Sequence, residues 1–533
     1  MGESEVTHST YIAVFILLTA AFFDSVEGSV VIGIDMGTHT CRASIYRNGQ
    51  VEWFGNIPSY IAFSKSTILR GQAAVDQVEQ NPANTIYSSK RFLGRLFNEI
   101  VGDVSFYTYS LVDRKGWFGY RVEFEDQVKI VTPEEVIAQL LIETKDISEA
   151  YLGVEVRDVV IGVPVGFYDS QRRATLDAAT IAGLNVIGFI NAPTAIALAY
   201  NLMVGVQDEP IVTLTVLNIG GGETGVIVAN VAPTSCRVIA SGGNPANGGD
   251  DISARLMDDI VEEFQMQHDV DPRSNLVALQ RLRMAVNEAI TALESTPSAD
   301  IYLPSLVDEL PLSTTITRDR LKRASSKVID EMRRIVDRTQ QQAYAMGVSH
   351  IDKFIFSGGT CHNYHVRKAL DEMVGSSLDD SLMDQEYVAK GTALYAALLT
   401  GDQDLDHPVL LEEITSRTFG INIYAGLQKN VIMAQSSIPT SQVVRLNDSS
   451  SAGTTLTISV YERDRAVAAD NHLVGVYEIS PVNASMEVDV LFSVDEDSIF
   501  HFDTVNPNFH VIPNTGRLNE MELEKMKEEA QCH

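Results

Sequence analysis

Three short glycine-rich turns, each following an apolar β-type run, recur at wide spacing along the chain: Gly33 to Thr38 (GIDMGT), Asn218 to Gly222 (NIGGG) and Ser357 to Thr360 (SGGT). Glycine lets backbone N–H groups approach a ligand closely, so such a turn at a strand end either cradles phosphate or simply reverses the chain. One turn alone leaves both readings open. Three in order point to two related lobes that close over one phosphate-bearing ligand. Around them, β-branched runs (Val30 to Ile34, Val159 to Val163, Val186 to Ile190, Val212 to Leu217) alternate with helical patterns such as Gln171 to Ala182, Leu276 to Leu293 and Arg318 to Met346. That alternation predicts an α/β fold with a largely buried sheet. Thr132-Pro133-Glu134-Glu135 predicts a capped helix start, with Thr at the cap, Pro at the first helical position and an acid three residues after the cap.

A chain of 533 residues exceeds one hydrophobic core, so several folding units are expected. After Asp402 helical patterns give way to alternating β-segments (Thr455 to Tyr461, Met486 to Val494), which places a boundary near residues 402–415; a final short helix is expected at Asn519 to Glu529. The formal net charge of −31 argues against nucleic acid as a partner. Cys41, Cys236, Cys361 and Cys532 form no C-x-x-C pair and read as buried or free thiols. The apolar run Tyr11 to Phe23 is shorter than the roughly twenty residues of a membrane span. Residues 1–28 therefore read as a signal peptide cut near Ser29, although the leading segment has no Lys or Arg. The tripeptides beginning at Asn447 and Asn483 match the glycosylation sequon.

Several longer segments carry a specific resemblance. They are GIDMGTH (from Gly33), IPSYIAF (from Ile57), NPANTIYSSKRFLGR (from Asn81), IGVPVGFYDSQRRATLDAATIAGLNV (from Ile161), NAPTA (from Asn191), NIGGG, GGDDI (from Gly248), SGGT, VAKGTALYAALL (from Val388) and VYERDRAVAADNHLVG (from Val460). With these the chain resembles the heat-shock protein 70 family of chaperones, and in particular its members of the endoplasmic reticulum lumen. The resemblance implies an actin-like, two-lobed ATPase domain with four subdomains at residues 29–402, a linker at 403–415, a β-sandwich peptide-binding domain at 416–512 and a shortened lid helix at 513–533.

The same resemblance assigns roles. Lys90 and Asp35 fall on catalytic positions; Asp35 and Asn218 fall on positions that hold magnesium through water. Gly37, Thr38, His39, Gly220, Gly221, Gly222, Glu223, Gly358, Gly359 and His362 fall on nucleotide-binding positions, which makes ATP/ADP and magnesium the expected ligands. The family has acids where this chain has Asn218, Ala192 and Gly225, and a threonine at Glu223; three of four metal-shell acids are gone, and magnesium needs anionic oxygens. Glu223 either replaces a carboxylate or repels the polyphosphate, and the sequence leaves both open. Asn287, Ile290, Thr291, Glu294 and His362 replace residues that contact ribose and base. Impaired hydrolysis is the expectation.

Pro164, Arg172, Leu410, Leu411 and Glu413 match elements that relay nucleotide state to the linker, whose other reading is a plain tether. Ile421, Leu446, Leu456 and Ile458 match the lining of the peptide pocket, and Tyr424 and Ser449 the arch above it; sandwich core is the other reading of the apolar four. Expected partners are unfolded or extended apolar polypeptides, with a J-domain co-chaperone or another heat-shock-70 chaperone. The alternative function is a non-hydrolysing regulatory or exchange-factor-like helper. The ending AQCH lacks a luminal retention tetrapeptide, so the expected location, the endoplasmic reticulum lumen, rests on the leader and secretion stays open.

Overall fold

A computed structural model of the protein describes residues 30–99, 104–204, 211–375, 385–405, 408–422, 426–447, 455–463, 465–480 and 487–531. The leader, the arch positions Tyr424 and Ser449, Asn483 and Cys532 lie outside the described residues.

Two five-stranded sheets of matching plan organise the first four hundred residues. In lobe I an antiparallel meander of Val31–Met36, Thr40–Arg47 and Gln50–Pro58 is extended by the parallel strands Asp158–Val163 and Asn185–Asn191. In lobe II the meander is Val212–Ile219, Thr224–Ala232 and Ser235–Asn244, extended by the parallel strand Lys353–Ser357 beside the first of them. The expected internal repeat is this shared meander. The fifth strand of lobe II comes from elsewhere: Leu410–Glu412 pairs in parallel with the outer strand, Leu410 opposite Ser235 and Leu411 opposite Cys236.

The central strands are apolar on both faces because helices cover both, the condition for a largely buried sheet. The helix Tyr387–Thr400 crosses the lobe I sheet and packs on Ala192–Ala199. Lobe II carries Gly249–His268, Leu276–Ala292 and the 28-residue helix Arg318–Ala345 around its own core, where Leu256, Ile260, Phe264, Leu282 and Met332 are buried. Smaller sheets at Tyr60–Ser64 and Trp117–Phe124, and a hairpin of Ser298–Val307 with Leu310–Thr317, fill out the outer subdomains. The start of Pro133–Leu152 is the reciprocal cap expected: Glu135 N donates to Thr132 Oγ1 at 3.2 Å, and Thr132 N donates to Glu135 Oε2 at 2.7 Å.

From Phe419 the chain is a sandwich of a five-stranded sheet and a three-stranded sheet, the last strand being His510–Asn514. Alternating inward residues make its core, among them Ile421, Ile458, Val460, Val490, Phe492 and Phe500. The sandwich lies against lobe I. Phe500 N donates to Asp169 Oδ1 at 2.8 Å, Asp169 N to Glu462 Oε2 at 2.9 Å, and Phe189 N to Asp497 Oδ1 at 2.6 Å. His472 stacks on Tyr168 with ring centres 4.2 Å apart, and its ring nitrogens reach Ser170 Oγ and Glu99 Oε1. The final helix, Glu520–Gln531, packs on lobe I as well, with Arg517 bonded to Asp177 and to Ser170 O. Cys41, Cys236 and Cys361 are free and buried, and burial pushes each thiol up to about 12. Among the described residues no helix is long and apolar enough to cross a membrane.

Candidate functional site

The first two glycine turns meet face to face across the cleft between the lobes. A Cβ on Gly221 would lie 2.7 Å from the ring of His39, and one on Gly222 would lie 2.7 Å from Thr38 Oγ1. Only glycine permits an approach that close. The lobe II turn is held by the helix behind it: Gly249 N donates to Gly220 O and Asp250 N to Gly221 O, while Thr360 Oγ1, from the third turn, donates to Gly220 O at 2.8 Å. Gly358 has φ of 97° and sits against Ile219 O and Asn218 Oδ1, a conformation and a space that exclude a side chain. The structure thus brings together Gly37 to His39, Gly220 to Glu223 and Gly358 with Gly359.

Lys90 is buried in the short turn Ser89–Arg91. Its Nζ lies 3.7 Å from Glu223 Oε1 and over the ring of Phe167, whose N–H donates to Pro164 O. Glu223 therefore faces the cation of the opposite lobe, which settles its pairing partner. Burial raises the Glu223 carboxyl above its ordinary value, Lys90 opposes that rise and Asp35 adds to it. Asp35 is also raised by burial, with Arg42 and Lys90 acting against the shift. Arg42 stands directly opposite Asp35 in the antiparallel register, Nη1 3.5 Å from Oδ2.

A second charged group spans the cleft one layer out. His39 Nε2 lies 2.5 Å from Asp250 Oδ1, Ser88 Oγ donates to Asp250 Oδ2 at 2.8 Å, and Arg91 bonds Asp251 at 2.9 Å. Burial pulls the Asp250 carboxyl up, but His39, Arg283 and Arg91 together outweigh it and hold it well below the usual carboxylate range. At positions that the resemblance aligns with adenosine contacts, Asn287 Oδ1 accepts from Ser253 Oγ, Thr291 Oγ1 donates to Asn287 O, and Ile290 packs on the lobe II core. His362 is exposed and acts on Glu294, whose carboxyl is raised by partial burial and lowered by that imidazole.

The described residues do not fit magnesium. Asp35 is engaged by Arg42 and Glu223 by Lys90; Asn218 offers an amide; Ala192 offers nothing; and no group of three or more acidic, His or Cys side chains is placed to hold a metal among the described residues. Magnesium is held through one or two carboxylates, its own waters and substrate phosphates, and both carboxylates at these turns are shared with a cation.

Behind the cleft, two of the positions expected to couple, Arg172 and Glu413, are joined through Asn191. Arg172 Nη2 donates to Asn191 Oδ1 at 2.7 Å, and Asn191 Nδ2 donates to Glu413 Oε1 at 3.1 Å. Burial raises the Glu413 carboxyl, with hydrogen bonds from Ile414 N–H and Asn191 Nδ2 opposing. Leu411 is half-buried on the lobe II edge and Leu410 exposed. At the sandwich end, Ile421 and Ile458 are buried, and Leu446 and Leu456 pack against the same cluster. The residues that sequence reasoning passed over are Arg42, Asp250 and the docking set Asp169, Arg173, Glu462, His472 and Asp497. Asp169, Arg173, Asp250, Glu462 and His472 lie inside the resembling segments, so their company was the available signal; Arg42, three residues past the Gly33 to His39 segment, had none.

The family described as Hsp70 protein matches residues 31–533. The chain belongs to the heat-shock protein 70 family. It is 33% identical over 521 residues to the heat shock 70 kDa protein of Neurospora crassa, covering 94% of this chain and 80% of that one. The heat shock 70 kDa protein 2 of Paracoccidioides lutzii is 32% identical over 94% of this chain and 79% of its own length. The heat shock 70 kDa protein of Emericella nidulans is 31% identical over 520 residues, covering 94% of this chain and 80% of that one. Membership makes the chain a chaperone-family protein with the family's general ATP-binding and protein-folding character, and its fold is the expected α/β domain followed by a β-sandwich.

Proposed function

We propose that the chain is a secretory-pathway chaperone that binds ATP or ADP between its lobes and apolar peptide segments on its sandwich, with hydrolysis strongly impaired. The observation that carries this is the pair of buried ion pairs, Lys90 with Glu223 and Arg42 with Asp35, in a cleft whose glycine turns still oppose each other. A lysine near the transferred phosphoryl group orients water and offsets charge only if it is available to do so. Here Glu223 competes for it. Retained glycine turns favour nucleotide binding; engaged charges disfavour turnover.

Peptide binding rests on four apolar liners, since burying one client side chain contributes about 1.5–3 kcal/mol. The secretory assignment rests on the leader read from residues 1–28. A second reading, a non-hydrolysing partner of an active chaperone, draws on the same ion pairs. Calorimetric titration with ATP and ADP separates the readings: binding without turnover supports a nucleotide-holding chaperone, and absence of binding selects the partner role. Recovery of a mature chain beginning near Ser29 from secretory membranes tests the location; an uncut leader or a cytosolic product overturns it.

A further inference from the structure

Resting on that reading of the cleft, we infer that it takes its nucleoside di- or triphosphate without a divalent cation, with Arg42 as the resident positive charge in place of the metal. Strand register fixes Arg42: it is the cross-strand neighbour of Asp35 in the hairpin that carries the first glycine turn. Its guanidinium is largely buried, with Nη1 3.5 Å from Asp35 Oδ2 and Nη2 donating to Gln385 Oε1 at 3.1 Å. Gln385 in turn lies beside Gly359, so Arg42 joins the first glycine turn to the third. A planar, permanently charged group with five donors suits this place, because it can bond a carboxylate and an incoming phosphate oxygen together.

At Gly225 and Ala192 a further acid would be tightly packed. A Cβ at Gly225 would meet Val165 at 3.0 Å and Pro193 at 3.2 Å, and the Ala192 methyl is buried. At the glycine turns Asp35 pairs with Arg42, Glu223 with Lys90, and Asp250 with His39 and Arg91. A cleft lined by unpaired acids must import cations before it can accept a polyphosphate. Here each of these acids is paired with a cation, and Arg42 lies between the first glycine turn and the third.

The test is equilibrium binding of ADP and ATP to the full mature chain, in millimolar magnesium and again in EDTA. The expected result is dissociation constants that agree within about threefold between the two buffers, a difference below about 1 kcal/mol. Arg42→Gln should weaken binding in EDTA by about tenfold or more, with thermal unfolding recorded to confirm a folded chain. Should Arg42→Gln fail to fold, Asn218→Asp serves instead: adding an acid should make affinity depend on magnesium. Binding that falls by more than about tenfold in EDTA for the unaltered chain overturns this inference and leaves the nucleotide-binding reading standing. No binding in either buffer overturns both.

Discussion

Replacing Asp169 by alanine should detach the sandwich from lobe I by a calculable amount. The Asp169 carboxylate is buried, accepts Phe500 N–H from the sandwich at 2.8 Å, and accepts Arg173 Nε at 2.7 Å. The first bond crosses the interface; the second aligns the arginine, which also bonds Phe500 O. A hydrogen bond to a charged group contributes about 1.5–3 kcal/mol, and the Phe500 N–H would be left without a partner only while docked. The docking equilibrium should therefore fall by about 2 kcal/mol, or roughly thirtyfold. The reporter is Phe189 N–H, which bonds Asp497 Oδ1 across the same interface yet touches no atom of Asp169's side chain. Hydrogen exchange at Phe189 should quicken about thirtyfold in Asp169→Ala, while amides in the lobe I strand Val31–Met36 keep their protection. Unchanged protection at Phe189 in a folded variant would refute the reasoning, because it would mean that the interface does not depend on this bond.

Three further outcomes follow from the geometry. Thr132→Ala removes the side-chain half of a reciprocal cap and should cost about 1 kcal/mol, read as a lowered midpoint in thermal or denaturant unfolding, with Thr132→Ser retaining most of the stability. Burial pushes the Asp497 carboxyl up to about 6, so the docked fold binds its proton more tightly than the unfolded chain, and the stabilisation present below about pH 4 is lost as pH rises through 6. Asp497→Asn keeps an oxygen for Phe189 N–H and removes the charge; it should be at least as stable as the parent at pH 7.5, with the advantage vanishing near pH 4, as unfolding at the two pH values will show. Ile458→Asp puts an unpaired carboxylate into the sandwich core and should unfold that domain, read as loss of its thermal transition together with capture of an extended apolar peptide, whereas Ile458→Val should retain both.

Features with short sequence range were legible. The cap at Thr132, the strands either side of each glycine turn and the helix Arg318–Ala345 all follow from patterns within a few turns of chain. The glycine turns were legible as turns, and their mutual approach was implied by their number. Harder to see were charges whose partners are remote. His39 and Asp250 are 211 residues apart, and Asp169 and Glu462 are 293 apart, so no local pattern ties them. Glu223 shows the limit most clearly. Its sign of action depends on which cation faces it, and only the closing of the lobes supplies Lys90. Arg42 looks from sequence like one polar residue in an alternating strand; register, not composition, places it on Asp35.

The most direct test of the account is ATP turnover by the purified mature chain with magnesium, alongside Lys90→Ala and Glu223→Thr. No magnesium-dependent turnover above background is expected for the unaltered chain and no further loss in Lys90→Ala, since Lys90 is already held by Glu223. Magnesium-dependent turnover that Lys90→Ala abolishes would contradict it.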